Sequence, residues 1–169
     1  MGLMTPVAIR IGAIPWMPKL LPQIVWFDTT LHKVTRGRVT VLDLAGLPGI
    51  YLTVRGRKSG IERTSPLMCV PDGGTWLIAG SYFGGPKTPL WVGNLRAAEG
   101  RAKVEFGKEK FAVTATELTG EDRAAAWQTM LNVWPNYATY EERTDRTIPV
   151  FRLTRASYGW RSTSPPTTK

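Results

Sequence analysis

The feature that most constrains the fold is a succession of short strand-like runs separated by turn signals. Gly49 to Arg55 is rich in β-branched and aromatic residues, and Glu62 to Val70 resumes a similar composition after a glycine-bounded turn at Gly56 to Gly60. Pro71 to Gly74 is a second turn signal, and Thr75 to Ser81 follows as a third run. Connections this short join antiparallel strands, so the sequence predicts a sheet built from hairpins.

Helical patterns enter the second half of the chain without alternating regularly with strands. A cap at Thr88, a first-turn proline at Pro89 and a closing Gly100 bound the first helix. The later predictions are a hairpin about Gly107, helices over Gly120 to Trp134 and Asn136 to Thr144, and a strand over Ile148 to Leu153. Pro66 predicts an edge position or a bulge in its strand. The order favours an α+β barrel or roll over a Rossmann domain, because no Gly-x-Gly-x-x-Gly follows a strand.

Composition narrows the classes of function. The 169 residues make one domain by length, with 22 Lys and Arg against 13 acids and a net charge of +9. That surplus favours a polyanionic partner, namely nucleic acid, an anionic membrane or a phosphorylated ligand. One cysteine (Cys69) and one histidine (His32) exclude an internal disulfide and a thiolate or histidine-rich metal cage, so no metal site is expected. No Gly-x-Ser-x-Gly motif accompanies His32, which disfavours hydrolase chemistry.

The first 48 residues are a segment distinct from the predicted domain. Ile11 to Phe27 is apolar, but three prolines and Lys19 interrupt it, so neither a membrane-spanning helix nor a secretory signal fits. Its aromatic and basic residues suit an anionic membrane surface, whereas an arm packed on the domain's own core is slightly favoured. We divide the chain into an arm (1–48), a domain (49–155) and a flexible tail (156–169). The expected location is cytoplasmic, with peripheral contact at the inner face of the cell membrane left open.

The turn from Arg55 to Gly60 concentrates three cations, a hydroxyl and two glycines in six residues, and Arg63 follows on the outgoing strand. Arginine matches phosphate oxygens with a planar fork, lysine adds a mobile charge, and glycine lets backbone N–H groups approach a ligand. The turn therefore suits an anion, although a solvated hairpin tip would have the same composition.

Two further segments carry candidate residues. The glycine-rich loop Gly80 to Lys87 leads into a helix N-terminus, which favours negative charge, and Trp91 and Asn94 could face one cleft from that helix. Trp134, Tyr137 and Tyr140 recur every third residue and would share one face of a short helix. Such aromatic side chains can form a wall for a flat substrate and supply a proton, or can simply pack on the barrel.

Taken in chain order, six motifs resemble the deazaflavin-dependent nitroreductase and quinone reductase family. They are Gly56 to Gly60, Arg63 to Leu67, Ala79 to Ser81, Pro89-x-Trp91-x-x-Asn94-Leu95, Tyr137-x-x-Tyr140 and Thr144 to Val150. The resemblance covers about Gly49 to Thr154. It implies a split β-barrel, an FMN-binding-like roll of mostly antiparallel strands with a few flanking helices, that binds coenzyme F420. This coenzyme is an 8-hydroxy-5-deazaflavin with a phosphate and a polyglutamate tail.

The resemblance also implies roles for individual residues. Those expected to bind the cofactor are Arg57, Lys58, Ser59, Gly60, Arg63, Thr64, Ser65, Pro66, Leu67, Ala79, Gly80, Ser81, Lys87, Trp91 and Asn94. Those expected on the catalytic side are Trp134, Tyr137 and Tyr140, with Ser81 as a further donor.

The implied activity is hydride transfer from reduced coenzyme F420 to quinones, nitroaromatics or activated enones, with Tyr140 or Tyr137 orienting the acceptor oxygen. The expected partner is this small-molecule acceptor, and no nucleic acid is expected. Three alternatives stay open at this point. They are an FMN-dependent oxidoreductase on the same type of barrel, a basic barrel that binds nucleic acid, and a lipid or quinone carrier at a membrane surface.

Overall fold

Seven strands form one sheet in the computed structural model, which describes residues 47–157. The elements are β1 (Gly49–Arg55), β2 (Glu62–Met68), β3 (Val70–Asp72), β4 (Thr75–Ala79), a 3-10 turn (Tyr82–Gly84), α1 (Leu90–Ala97), β5 (Arg101–Phe106), β6 (Glu109–Glu117), α2 (Gly120–Val133), α3 (Asn136–Glu142) and β7 (Val150–Arg155). Nearly all of the predicted arm, including His32, and the tail beyond residue 157 lie outside the described residues. No helix within residues 47–157 combines the length and apolarity needed to cross a bilayer.

The strand pairing confirms the predicted fold class. The strand order is β2-β1-β5-β6-β7-β4-β3, and each pair of neighbours runs antiparallel. Three of the pairs are hairpins, and they turn where the sequence predicted turns, at Gly56 to Gly60, at Pro71 to Gly74 and about Gly107. Helices α1, α2 and α3 flank the sheet, as expected of an α+β fold.

The predicted run from Glu62 to Val70 is two strands instead of one. The ladder breaks at Cys69, whose N–H donates to the Pro48 carbonyl at 3.0 Å. Before this residue β2 pairs with β1, and after it β3 pairs with β4, so the chain changes partners there. Pro66 lies in β2, the end strand of the sheet, which confirms its predicted edge position.

The sequence prediction for α1 is wrong at its N-terminus and confirmed at its C-terminus. Thr88 does not cap the helix, because Pro89 occupies the N-cap with extended angles (φ −55°, ψ 144°) and no side chain makes a capping hydrogen bond. At the other end Gly100 closes the helix as predicted. Its N–H donates to the Leu95 carbonyl at 2.9 Å with φ +76°, a left-handed conformation in which glycine is unstrained.

Buried apolar side chains form two clusters on opposite faces of β4 and β7. Along β4, Trp76 and Ile78 belong to the first cluster and Leu77 to the second, as the two-residue period of a strand requires. Helix α1 packs with the first cluster through Trp91, Val92 and Leu95, whereas α2 and α3 pack with the second. The segment that connects β4 to α1 therefore lies beside both clusters.

Gly80, the first residue after β4, generates a prediction about stability. Its N–H donates to the Pro149 carbonyl at 2.9 Å, and a Cβ at this position would lie 2.9 Å from Pro149 Cγ and 2.9 Å from Val92 Cγ2. We expect Gly80→Ala to lower the free energy of unfolding by about 1–3 kcal/mol, because an added methyl overpacks this contact. Urea unfolding followed by circular dichroism measures the change. In a Val92→Ala background the same substitution should cost less, and an equal cost in both backgrounds would contradict the steric explanation.

Candidate active site

The β1–β2 turn is a closed structure stabilised by its own backbone. Gly56 N–H donates to the Ile61 carbonyl and Gly60 N–H to the Gly56 carbonyl, both at 2.8 Å. The Arg55 side chain also serves the turn, since its Nε donates to the Gly60 carbonyl at 3.1 Å. Ser59 Oγ accepts a long hydrogen bond of 3.3 Å from the Ile61 N–H. Arg55 is thus engaged within the turn and is the least available of its cations.

Arg57 connects this turn to helix α1. Its backbone N–H donates to Asn94 Oδ1 at 3.1 Å. Its guanidinium lies over Gly93, where a Cβ would come within 1.7 Å of Arg57 Nη1. The contact explains why glycine is accepted inside a helix at a cost of roughly 0.5–1 kcal/mol relative to alanine. Two predicted cofactor residues, Arg57 and Asn94, are therefore in direct contact.

Four cations of the β1–β2 hairpin and the β4–α1 segment are exposed and have no acidic partner among residues 47–157. They are Arg57, Lys58, Arg63 and Lys87. Elsewhere in the same residues, cations such as Arg96 and Lys103 are paired with Glu117 and Glu62 at 2.6 and 2.8 Å. The donor set of guanidinium and ammonium groups beside a closed turn suits phosphate or carboxylate oxygens.

The predicted run from Arg63 to Leu67 lies on β2 and is divided between the two faces of the sheet. The residues opposite Val54, Leu52 and Ile50 are Arg63, Ser65 and Leu67. Directly paired residues point to the same side, so these three share the face of the first core cluster. Thr64 and Pro66 point to the other face, where the Thr64 and Thr53 hydroxyls hydrogen-bond at 2.7 Å.

The segment from Ala79 to Lys87 joins the sheet to α1 and carries more of the predicted residues. Ala79 pairs with Val150 at the end of β4, and Gly80 packs against Pro149. Ser81 is half-buried and precedes the 3-10 turn. The Phe83 ring within that turn meets the Tyr140 ring edge to face at a centroid distance of 5.5 Å. The segment therefore contacts the aromatic side chains of α3 before it reaches the exposed Lys87.

The three predicted aromatic residues are buried together in the second core cluster. Tyr137 and Tyr140 contact each other edge to face at 6.0 Å, and Trp134 Nε1 donates a long hydrogen bond of 3.4 Å to the Tyr140 hydroxyl. The neighbours of the two tyrosines differ, since Tyr137 packs on Trp127 of α2 at 5.2 Å whereas Tyr140 faces Phe83. Tyr140 is thus the tyrosine that adjoins the β4–α1 segment.

Burial sets the protonation of both phenols. It raises the pKa of Tyr137 well above its ordinary value, because the phenolate would lie in a low-dielectric core. It also raises the pKa of Tyr140, although hydrogen bonds from Trp134 and Asn136 and the nearby charge of Arg143 act in the opposite direction. Both hydroxyls keep their protons at neutral pH.

The structure does not give Trp91 and Asn94 a common cleft. Trp91 is buried in the first core cluster and meets Phe151 at 5.8 Å, while Asn94 binds the backbone of Arg57. Helical spacing of three residues allowed a shared face, but the apolar indole packs into the core and the amide remains half-buried beside the turn.

Sequence reasoning gave no role to four residues that contact these predicted ones. Phe83 and Arg143 contact the Tyr140 ring, Asn136 hydrogen-bonds Tyr140, and Arg146 binds the β4–α1 segment. Arg146 lies inside the Thr144 to Val150 motif, so a signal for it existed, but nothing local indicates a partner more than 60 positions away. Asn136 is the one fully buried polar residue in the described part of the chain, which no sequence pattern revealed.

Comparisons with known proteins place this arrangement among the split-barrel oxidoreductases. The structure resembles that of an F420-H2 dependent reductase, FDR-A, with a TM-score of 0.58 and 38% sequence identity over 63% of this chain and 94% of that one. It also resembles a structure described as a domain-swapped dimer, with a TM-score of 0.61 and 32% identity over 76% of this chain and 97% of that one. The curled split barrel expected for the sheet is thereby confirmed.

The sequence comparisons identify the family. Residues 26–155 match the model of the F420H(2)-dependent quinone reductase family. An F420H(2)-dependent quinone reductase of Mycobacterium tuberculosis is 32% identical over 136 residues, which are 79% of this chain and 91% of that protein. The chain belongs to the F420H(2)-dependent quinone reductase family. This assignment confirms the predicted family and its cofactor, and favours the deazaflavin interpretation over FMN, nucleic acid or a non-catalytic carrier.

The contact between Arg57 and Gly93 generates a prediction that separates binding from stability. Gly93→Ala adds a methyl that displaces the Arg57 guanidinium, while alanine is the better helix former by roughly 0.5–1 kcal/mol. We expect the variant to be at least as stable as the parent in urea unfolding, yet to bind oxidised coenzyme F420 several-fold more weakly in a fluorescence titration.

The double-mutant cycle with Arg57→Ala supplies the control for this experiment. If the methyl acts through the guanidinium, Gly93→Ala should have no further effect on affinity once Arg57 is absent. An undiminished loss of affinity in the Arg57→Ala background would show that the methyl acts elsewhere.

Proposed function

We propose that this chain reduces a quinone with a hydride from reduced coenzyme F420 and holds the charged tail of that cofactor on the cations of the β1–β2 turn. The observation that carries the proposal is the group of exposed cations at Arg57, Lys58, Arg63 and Lys87, which have no acidic partner among residues 47–157. Because the backbone of the turn is already fixed and its cations need break no ion pair, neither cost is incurred when they bind an anion.

The same proposal assigns the remaining residues of the cofactor site. Arg63, Ser65 and Leu67 share one face of the edge strand, so a ligand whose tail contacts Arg63 reaches Ser65 and Leu67 without leaving that face. Ser59 and Gly60 complete the turn, and Ala79, Gly80 and Ser81 form the strand end from which the chain leaves toward α1. Thr64, Pro66 and Trp91 support the site through the sheet and the core.

On the acceptor side we assign Tyr140 as the residue that orients the acceptor oxygen. Reduced deazaflavin, when bound, supplies a hydride to the acceptor. Tyr140 adjoins the β4–α1 segment through Phe83, and its buried hydroxyl keeps a proton that it can donate to an oxygen of the acceptor. Trp134 holds that hydroxyl by donating to it, and Tyr137 supports Tyr140 by an edge-to-face contact. Ser81 is a second candidate donor.

The proposal extends to acceptors and location that the family assignment leaves open. Nitroaromatics and activated enones present an electrophilic atom bonded or conjugated to an oxygen that takes up the negative charge, as quinones do, and are proposed as further acceptors. A cytoplasmic location with peripheral contact at the inner membrane face through residues 1–48 is proposed because quinones are lipid-soluble. A domain-swapped relative supports testing for a dimer.

The cation assignment predicts a specific loss of cofactor affinity. Neutralising both Lys58 and Arg63 to Gln should weaken binding of oxidised coenzyme F420 by more than tenfold, since charge-assisted hydrogen bonds contribute roughly 1.5–3 kcal/mol each. Titration at low and high salt measures the loss, and the salt dependence should shrink as well.

The matched control removes the same charge at the other end of the sheet. Lys108 and Lys110 lie at the β5–β6 hairpin, where the ammonium of Lys110 is exposed, so its pair with the half-buried Glu105 contributes little to stability. Changing both to Gln should leave the affinity unchanged. Equal losses in the two double variants would mean that net charge, and not this turn, governs binding.

The acceptor assignment predicts different effects for the two tyrosines. Tyr140→Phe removes the proton donor and should lower kcat for quinone reduction about tenfold or more. Tyr137→Phe should have a smaller effect, because the Tyr137 side chain packs toward α2. Because burial raises the pKa of Tyr140 above its ordinary 10.0, the parent enzyme should retain the activity that depends on this proton beyond pH 10 and lose it as pH rises further. Steady-state rates at saturating cofactor measure both effects. If Tyr140→Phe retained the parent's kcat for each quinone tested, the donor role would be wrong.

A further inference from the structure

The turn between β4 and α1 has an unusual backbone. Tyr82, Phe83 and Gly84 are three consecutive residues with positive φ, at 49°, 53° and 77°. Phe83 has a fully left-handed conformation, with ψ 29°. For residues other than glycine this conformation is strained, because Cβ crowds the backbone carbonyl. Two adjacent aromatic residues, Tyr82 and Phe83, therefore have strained backbone conformations, and other contacts must stabilise the turn that contains them.

Packing against α3 offsets part of this strain. The Phe83 ring contacts the Tyr140 ring, and a Cβ at Gly84 would lie 2.7 Å from both the Tyr140 carbonyl oxygen and Arg143 Cβ. Within the turn, Gly84 N–H donates to the Ser81 carbonyl at 3.0 Å and Gly85 N–H to the Tyr82 carbonyl at 2.9 Å. These contacts close the turn from within and hold it against α3, and a further residue binds its two ends together.

Arg146 binds both ends of the turn at once. Its Nη2 donates to the Ser81 carbonyl at 2.7 Å and its Nε to the Gly85 carbonyl at 3.1 Å. These two carbonyls are the ones that bracket the three residues with positive φ. A guanidinium is suited to this because its donors are held in one plane, whereas a lysine ammonium is a compact group on a flexible stem. Hydrogen bonds from a charged donor are stronger than those between neutral groups, so these two can offset the strain of the turn.

We propose that Arg146 is a positioning residue of the active site, which holds the left-handed turn and thereby fixes Ser81 and the Phe83–Tyr140 contact. Arg146 lies between α3 and β7, so it joins the turn to the two elements that flank the aromatic cluster. Its effect on catalysis rests on the proposed function, because it acts through Ser81 and Tyr140. Its effect on the turn does not depend on the proposed function and can be measured on the protein without cofactor.

The first test measures hydrogen exchange at the amides of Gly84 and Gly85. In Arg146→Met, which keeps the apolar stem and removes both donors, we expect these amides to exchange at least tenfold faster than in the parent. Arg146→Lys should give an intermediate rate, and it carries the comparison should the methionine variant not fold. Arg152→Met is the matched control, since Arg152 also has one buried nitrogen without a partner in the described residues but pairs with Asp72. Exchange at Gly84 and Gly85 that is unchanged in both Arg146 variants would overturn the proposal.

The second test uses relief of the strain. Glycine adopts positive φ without the Cβ penalty, so Tyr82→Gly should reduce the need for the guanidinium and return much of the lost protection in the Arg146→Met background. A general packing role for Arg146 predicts instead that the second substitution adds to the loss, and that result would contradict the proposal.

The third test concerns catalysis. With coenzyme F420 and a quinone, Arg146→Lys should lower kcat several-fold and should weaken cofactor binding less than the double Gln variant of Lys58 and Arg63 does, because the cations that hold the tail are untouched. A weakened cofactor affinity with an unchanged kcat would overturn the catalytic part. If the parent protein bound no coenzyme F420, the proposed function would fail while the exchange results would still decide the role of Arg146 in the turn.

Discussion

The close approach of Gly80 to Pro149 and Val92 is the constraint on which the rest of the structure depends. It brings the end of β4 against the Pro149 ring, directly before β7, and against the Val92 side chain of helix α1, with one backbone hydrogen bond from the Gly80 N–H to the Pro149 carbonyl. Because α1 is fixed there, its Asn94 reaches the backbone of Arg57 and positions the β1–β2 turn. The cations of that turn are exposed, but the backbone that carries them is connected to the core.

The same segment connects two regions that lie far apart in the sequence. One end contacts the buried aromatic cluster of α2 and α3 through Phe83, and the other end leads through Lys87 to α1 and the cationic turn. A cofactor with a flat ring and a charged tail needs both kinds of surface, an apolar wall with a proton donor and an edge of unpaired cations. In the proposed site the split barrel supplies them from different elements, which is why no single motif in the chain describes it.

Local chemistry made much of the fold predictable. The turn residues at Gly107 and Pro71 to Gly74 define hairpins by themselves, and Gly100 closes α1 as its position after the apolar pattern suggests. The unpaired cations could also be predicted, because charge surplus is a property of composition. The break at Cys69 could not be, since it depends on which strand each half pairs with, and neither could the core position of Trp91 or the reach of Arg146 across the fold. The tyrosines were predicted as a group, but only tertiary packing distinguishes Tyr140, which faces Phe83, from Tyr137, which faces Trp127.

In the proposed function the cationic turn (Gly56 to Gly60) and the aromatic cluster (Trp134, Tyr137 and Tyr140) belong to one site, joined by the segment after β4. The most direct test is a titration of nitrogen-15-labelled protein with oxidised coenzyme F420, followed by amide chemical shifts. We predict that the amides of Gly56 to Gly60, those of Ser81 to Gly85 and that of Tyr140 shift together with one dissociation constant. Shifts confined to the turn, with the Ser81 to Gly85 and Tyr140 amides unmoved at saturation, would contradict the account.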